Sequence, residues 1–513
     1  MRAVLLACLL SSAACLHFEE TFLEESDAGT GMVDAADTNS VDAADEVSEL
    51  SLTVSPAQPR VFPDSTVDFA IEIARVDADS VGDAIVSLEG DLPTGVSANP
   101  AVIPASASSG TLTVTIGAEA DLGSIALTIG ARIAATDASG RAPAKVLIAG
   151  PAGTIDPSFA EAGTLTSDLA DTILGIAVAP TERIFVATRK DGVTNIVALT
   201  ESGALDTTFA TTGILALAGL SLGDILPRDA GGVMVVGTVN NEATVQVYDA
   251  SGALDTTFQG GGVFAPQAGM SRSGQSIAVA ADNRIFIAGR DSSNTAAIYR
   301  FSASGLFEGF AQVPQGRSSE FISIGIAPNG DILALGGFSG APRALVARFD
   351  ADALEPIFTF GDTVGTAVVG STGVSPKSMT VAASGEIVIT MTAISEPEAF
   401  HISLLAADGM SVVFNETKVA PAPDSDSAVD ASGRILAVTT GVNLGTGSPL
   451  ADLYRFTSTG NDDSSFASNG RMRLTATDNT VTFRLFSMGL QPDGRILVGG
   501  TRNSDWALQR YWD

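Results

Sequence analysis

Carboxylates are the chemistry-bearing side chains that this chain repeats in its clearest motif. Gly-x-x-Asp-x-x-Phe occurs at 153–159, 203–209, 252–258 and 460–466, so Asp156, Asp206, Asp255 and Asp463 each stand three residues before Phe159, Phe209, Phe258 and Phe466. Such an Asp has two uses. It can hydrogen-bond its own backbone a residue or two on and build a turn, or it can offer oxygen ligands to a cation such as calcium. The turn reading is favoured. In three further copies, centred on Phe310, Phe358 and Phe414, the Asp is replaced or lost, with Glu308 and Glu355 nearby, while Phe recurs in all seven. These Asp and Phe residues are therefore assigned a structural role, with no metal site and no cofactor.

Other chemistry is thinly supplied. Histidine occurs twice, as His17 and His401, a pair too widely separated for a dedicated His-rich metal site; His401 opens an apolar strand and reads as a core or rim residue. Cys8 and Cys15 lie within the first fifteen residues, so the rest of the chain forms no disulfide. No Gly-x-Ser-x-Gly elbow or phosphate loop is present. Carboxylates are numerous enough for a glycosidase pair, yet nothing singles one out. Trp506 and Trp512 flank the last strand and read as packing, with sugar stacking as the sharper alternative. No catalytic residue is assigned, and the balance favours a non-enzyme. A formal net charge of −32, from 59 acidic and 27 basic residues, repels phosphate backbones and argues against nucleic acid as a partner.

The elements that carry the signature repeat with it, about every fifty residues, a period that marks an array or a closed ring of equal units. Each unit also has a turn followed by an apolar run, such as 182–187, 231–236 and 493–498, and a strand ending near the next Gly, such as 196–199 and 245–248. About four short strands per unit is the content of a propeller blade. The chain is therefore expected to be all-β, with a seven-bladed β-propeller over 150–513. Two closures are open, one complete repeat per blade or a strand swap between the ends; seven complete copies favour the first.

These landmarks resemble the delta-60 repeat of bacterial exported proteins. Gly203-Ala204-Leu205-Asp206-Thr207-Thr208-Phe209 matches its first part and Pro492-Asp493-Gly494-Arg495-Ile496-Leu497-Val498-Gly499-Gly500 its second, while Arg300, Arg348, Arg455 and Arg510 sit at the strand position of its third. The resemblance implies a propeller-like fold and brings no shared activity.

Ahead of the repeats, 50–149 alternates apolar and polar residues, with Val67, Phe69, Ile71 and Ile73 on one side of a strand, which predicts antiparallel sheets half-buried in a sandwich. About a hundred residues of such strands fits an immunoglobulin-like module, and 92–96 with Pro100 is similar to bacterial Ig-like modules. The first 14 residues have the pattern of a secretory signal, and Ser12-Ala13-Ala14-Cys15 resembles the bacterial lipoprotein signal. That resemblance implies lipidation of Cys15, with plain signal-peptidase cleavage as the alternative, and Leu16 after it points to the outer membrane. Residues 15–49 hold no Lys or Arg and read as an extended acidic tether. The function expected is an anchored cell-envelope protein whose propeller binds or scaffolds a protein or glycan ligand on its loop face, near 395–400 and 442–450. The alternative is an exported propeller-type hydrolase or lyase.

Overall fold

The computed structural model describes residues 50–513, apart from 76–80, 170, 314–317, 319, 338–342, 363, 371–372, 394–398, 419–424, 443–448, 475–482 and 503–504. Met1–Val47 and Ser48–Asp513 are separate units. The signal, Cys15 and nearly all of the acidic tether fall in the first unit, outside the described residues.

Alternation builds the first layer pair. Along Ser65–Arg75 every second side chain is buried, so one face of the strand enters a core. One sheet orders Leu50–Ser55, Ser65–Arg75, Ser109–Ile116 and Val96–Ala98; the other orders Arg60–Val61, Ser139–Ile148, Gly123–Ile133, Ala84–Glu89 and Ala101–Ile103. Phe69, Ile71, Leu112 and Val114 from the first sheet meet Ile129, Ile133 and Val146 from the second in one core. Residues 146–148, just ahead of the repeats, belong to this second sheet.

The repeats form seven four-stranded antiparallel sheets, called here sheets one to seven in order of their first strands. Sheet one is Thr172–Val178, Ile184–Lys190, Val193–Leu199 and Ile214–Leu217. The first strands of the others begin at Ser221, Ser271, Phe321, Val374, Ser425 and Phe483. Each second strand opens with an apolar run, as in Ile184–Lys190, Val233–Val239 and Ile285–Asp291, whose first five residues are all buried. That is what a strand covered on both faces requires, because each sheet is sandwiched by its neighbours. The first strands touch one another in a closed cycle, one to two through to seven and back to one. Sheets of four strands packed around an axis are a β-propeller.

Closure departs from the simpler arrangement expected. Thr164–Ser167, which follows the first signature, does not complete sheet one. It pairs antiparallel with Asp505–Tyr511, Thr166 opposite Ala507, and becomes the outer strand of sheet seven. The two ends of the repeat region are thus hydrogen-bonded to each other. The sequence period runs from turn to turn, whereas a sheet runs from first to fourth strand, so the repeat is offset from the sheet by one strand.

A second device recurs at every hairpin between first and second strands. The residue at its third turn position is left-handed in all seven sheets: Glu182, Gly231, Asn283, Gly330, Gly385, Gly433 and Gly494. Five of the seven are glycine, the residue without a Cβ penalty there.

Candidate functional site

The signature Asp residues do not converge. Each lies in the loop before the fourth strand of its own sheet, at a separate joint between sheets. Asp156 Oδ1 accepts from Ser158 N at 3.0 Å and Ser158 Oγ at 2.6 Å. Asp255 does the same with Thr257 at 3.1 and 2.6 Å, and Asp463 with Ser465 at 3.0 and 2.6 Å; Asp206 holds Thr208 likewise. The motif is therefore Asp-x-Ser/Thr-Phe. The hydroxyl one residue before the Phe escaped the sequence reading because Ser and Thr alternate there.

The other carboxylate oxygen takes an arginine. Arg510 Nε meets Asp156 at 2.7 Å, Arg183 Nε meets Asp206 at 2.8 Å, Arg228 Nη1 meets Asp255 at 2.9 Å and Arg455 Nε meets Asp463 at 2.9 Å. The same guanidinium lies over the signature ring, 4.8 Å from Phe159, 5.1 Å from Phe258 and 4.5 Å from Phe466. In most copies it also reaches the next sheet. Arg183 Nη1 donates to Ala250 O at 2.8 Å, Arg300 Nη1 to Ala351 O at 2.8 Å and Arg348 Nη1 to Ala407 O at 2.8 Å. Arg510 Nη1 donates to Glu201 O. Each such arginine is a staple: it fixes the turn, covers the ring and ties one sheet to the next.

Three signature positions read from the sequence sit differently. Phe358 is 62% exposed; Phe360 is the buried ring, its N–H bonded to Ile357 O and its successor Gly361 bonded to Asp408 O, the pattern that Phe159 and Ala160 show. Ile357 thus stands where the Asp would be. Asp331, from the hairpin turn, supplies the carboxylate to Arg348 at 2.8 Å, not Glu355. Phe310 and Phe414 lie on fourth strands, Phe307–Gln312 and Val412–Lys418. Phe414 still fills the plug site: a Cβ on Gly460 would lie 2.4 Å from its ring, as one on Gly203 would lie 2.7 Å from Phe159. Spacing could not reveal these shifts, because several rings compete for one pocket.

Around the axis runs a girdle of small polar groups. Six of the seven first strands carry a register shift midway, and a bulge leaves a backbone group unpaired. Side chains of adjacent first strands satisfy these groups. Asp224 Oδ2 accepts from Ser276 Oγ at 2.8 Å and Ile277 N at 3.3 Å. Asp426 Oδ2 accepts from Ser487 Oγ at 3.2 Å and Met488 N at 3.1 Å, and Ser487 Oγ accepts from Ile176 N at 3.2 Å. Both aspartates are half-buried. Burial, joined by the charge of Asp426, pushes the Asp224 carboxyl up to about 6 against the opposing hydrogen bonds. Burial also raises Asp426.

Where sheet seven meets sheet one, the ring is covered by the sandwich. Lys145 Nζ lies 2.6 Å from both Glu182 and Glu201. Ser124 Oγ donates to Glu201 at 2.6 Å, and Arg495 pairs with both Glu201 and Asp493. Glu182, Glu201 and Asp493 bring carboxylate oxygens within 4.8 Å of one another, a grouping open to a metal ion; two chain cations, Lys145 and Arg495, already lie against it. Burial alone would raise Glu201, but hydrogen bonds from Glu182, Lys145, Ser124 and Arg495 hold it far below the carboxylate range. Trp512 is buried against Leu122, Leu147 and Ala149, and Trp506 is buried within sheet seven, so neither can stack on a sugar. His401 is half-buried, its Nδ1 2.8 Å from Thr417 Oγ1, and burial lowers its pKa. The loop stretches 395–400 and 442–450 lie mostly outside the described residues.

The class this geometry defines is the β-propeller, with its ends joined by strand exchange. A family described as a domain of unknown function (DUF5122) beta-propeller matches residues 491–512, the first hairpin turn and the second and third strands of sheet seven. A solved protein of unknown function from Dyadobacter fermentans is similar at 11% identity over 69% of this chain and 97% of its own, with a TM-score of 0.36. Prolyl oligopeptidase B from Galerina marginata is similar at 12% identity over 73% of this chain and 53% of its own, with a TM-score of 0.39. The soluble aldose sugar dehydrogenase from Escherichia coli is similar at 11% identity over 68% of this chain and 100% of its own, with a TM-score of 0.34. No curated protein matches. The fold assignment rests on the ring of sheets itself, not on these distant likenesses.

Proposed function

We propose that this chain is an envelope-anchored binding or scaffolding lipoprotein. Its parts are a signal over 1–14, a lipidated Cys15 on an acidic tether to 49, an Ig-like sandwich over 50–149 and a seven-bladed propeller of delta-60 repeats over 150–513. Its place is the bacterial outer membrane, and its ligand a protein or glycan met on the loop face. One observation carries the binding role: at five of the seven joints an arginine of the chain itself ties one sheet to the next, so the repeated chemistry builds a rigid platform. What differs between copies is left to recognise a ligand. The anchor rests on the sequence; among the described residues no helix is long and apolar enough to cross a membrane. Cys15→Ala is expected to move the protein from the membrane fraction to the soluble one. Continued membrane retention of that variant contradicts the lipid anchor.

A second reading has one observation behind it. Asp224, held at about 6 on the axis beside a second raised carboxyl, has the titration that a general acid needs near neutral pH. Turnover of any member of a glycan and lactone panel, lost in Asp224→Asn, moves the assignment to an exported hydrolase or lyase.

A further inference from the structure

Five of the seven joints are closed by a guanidinium of the chain itself. Arg183, Arg300, Arg348 and Arg510 reach the loop carbonyls Ala250, Ala351, Ala407 and Glu201 of the following sheet, and Arg455 reaches Asp513 at 2.8 Å. The joint between sheets two and three breaks the pattern. Gly232 and Val247 occupy the two positions from which the staples spring, and Arg228 turns back onto Tyr248 O at 3.2 Å and Asp255 at 2.9 Å. Ala303 is the counterpart of Ala250, since Gln259 N donates to Ser304 O as Ala210 N does to Ser251 O. Among the described residues no guanidinium reaches its carbonyl. A cleft of about 720 Å³ opens at this place, bordered by Ala303, Met234, Val279, Ala281, Arg228 and Asp229. The joint between sheets five and six also lacks an arginine, with Glu386 and Leu404 at the two positions.

We propose that the cleft between sheets two and three takes the arginine side chain of a partner polypeptide, which supplies the staple that this joint lacks. This deepens the binding reading above and rests on it. The volume is that of a ligand pocket, and its Met234 and Val279 walls suit the aliphatic stem of an arginine. The planar fork matches a carbonyl and a carboxylate together. Asp229 is exposed at the rim, whereas the charge of Arg228 is already matched by Asp255. A net charge of −32 draws a basic segment toward the surface and speeds its encounter.

The test is calorimetry of the full chain, carrying Cys15→Ala, with acetyl-Gly-Gly-Arg-Gly-Gly-amide and with the same peptide bearing citrulline, its neutral isostere. The arginine peptide is expected to bind at least about tenfold more tightly than the citrulline peptide. Asp229→Lys should weaken it by a similar factor, and Ala281→Trp, which fills the mouth, should remove it, both with unchanged melting temperature. Equal affinity for the two peptides, no detectable binding at millimolar peptide, or full binding by both variants overturns the proposal. A partner captured by the parent chain that still binds both variants removes the cleft while leaving the binding reading in place.

Discussion

Arg455 shows at the residue scale how the signature works. Its side chain is 1% exposed, lies between Asp463 and Asp513 and rests on Phe466. Removing one partner of a buried pair costs about 3–5 kcal/mol, since the remaining charge is left uncompensated. Arg455→Ala should therefore destabilise the propeller by about that amount in urea melts, and a loss below about 1 kcal/mol would show that the staple is ornamental. The Asp residues were legible as turn formers from their spacing alone, because an Asx turn is local. The arginine partners were legible only as a recurrent strand position. Whether an Arg meets the Asp of its own unit depends on which element carries it, and here it comes from the first hairpin turn in sheets one and two and from the third strand in sheets six and seven.

At the scale of the element, the axial girdle is where structure adds most to sequence. Asp224 and Asp426 belong to no motif, and the partners that each one meets, Ser276 and Ile277 for the first and Ser487 and Met488 for the second, lie on the neighbouring first strand. The raised Asp224 carboxyl favours the protonated folded state. Its contribution to stability is thus full below about pH 4 and is lost as pH rises through about 6. A shift of that size corresponds to at most roughly 3 kcal/mol. Asp224→Asn should shrink the stability difference between pH 4.5 and pH 7.5 by roughly 2 kcal/mol, measured by urea melts at both values. An unchanged difference would place the carboxylate in open water. The apolar first halves of the second strands, in contrast, were plain in the sequence: a stretch covered on both faces is apolar, as 184–187, 233–236 and 285–288 are.

For the whole molecule, the seven-fold period revealed the ring but not how it closes. The repeat as written begins at the signature turn, so seven complete copies concealed that the strand after the first turn belongs with the last sheet. The sandwich then sits over that closing joint, held by Lys145, Ser124 and the buried Trp512. Closure by strand exchange is the central structural claim, and the absence of cysteine beyond Cys15 makes it directly testable. Thr166 and Ala507 are paired across the closing strands. In a chain also carrying Cys15→Ala and Cys8→Ala, the double substitution Thr166→Cys and Ala507→Cys is expected to oxidise to an intramolecular disulfide, seen as a faster-migrating monomer on non-reducing gels. Free thiols that persist under oxidant in the folded protein, or only intermolecular cross-links, would contradict the closed ring.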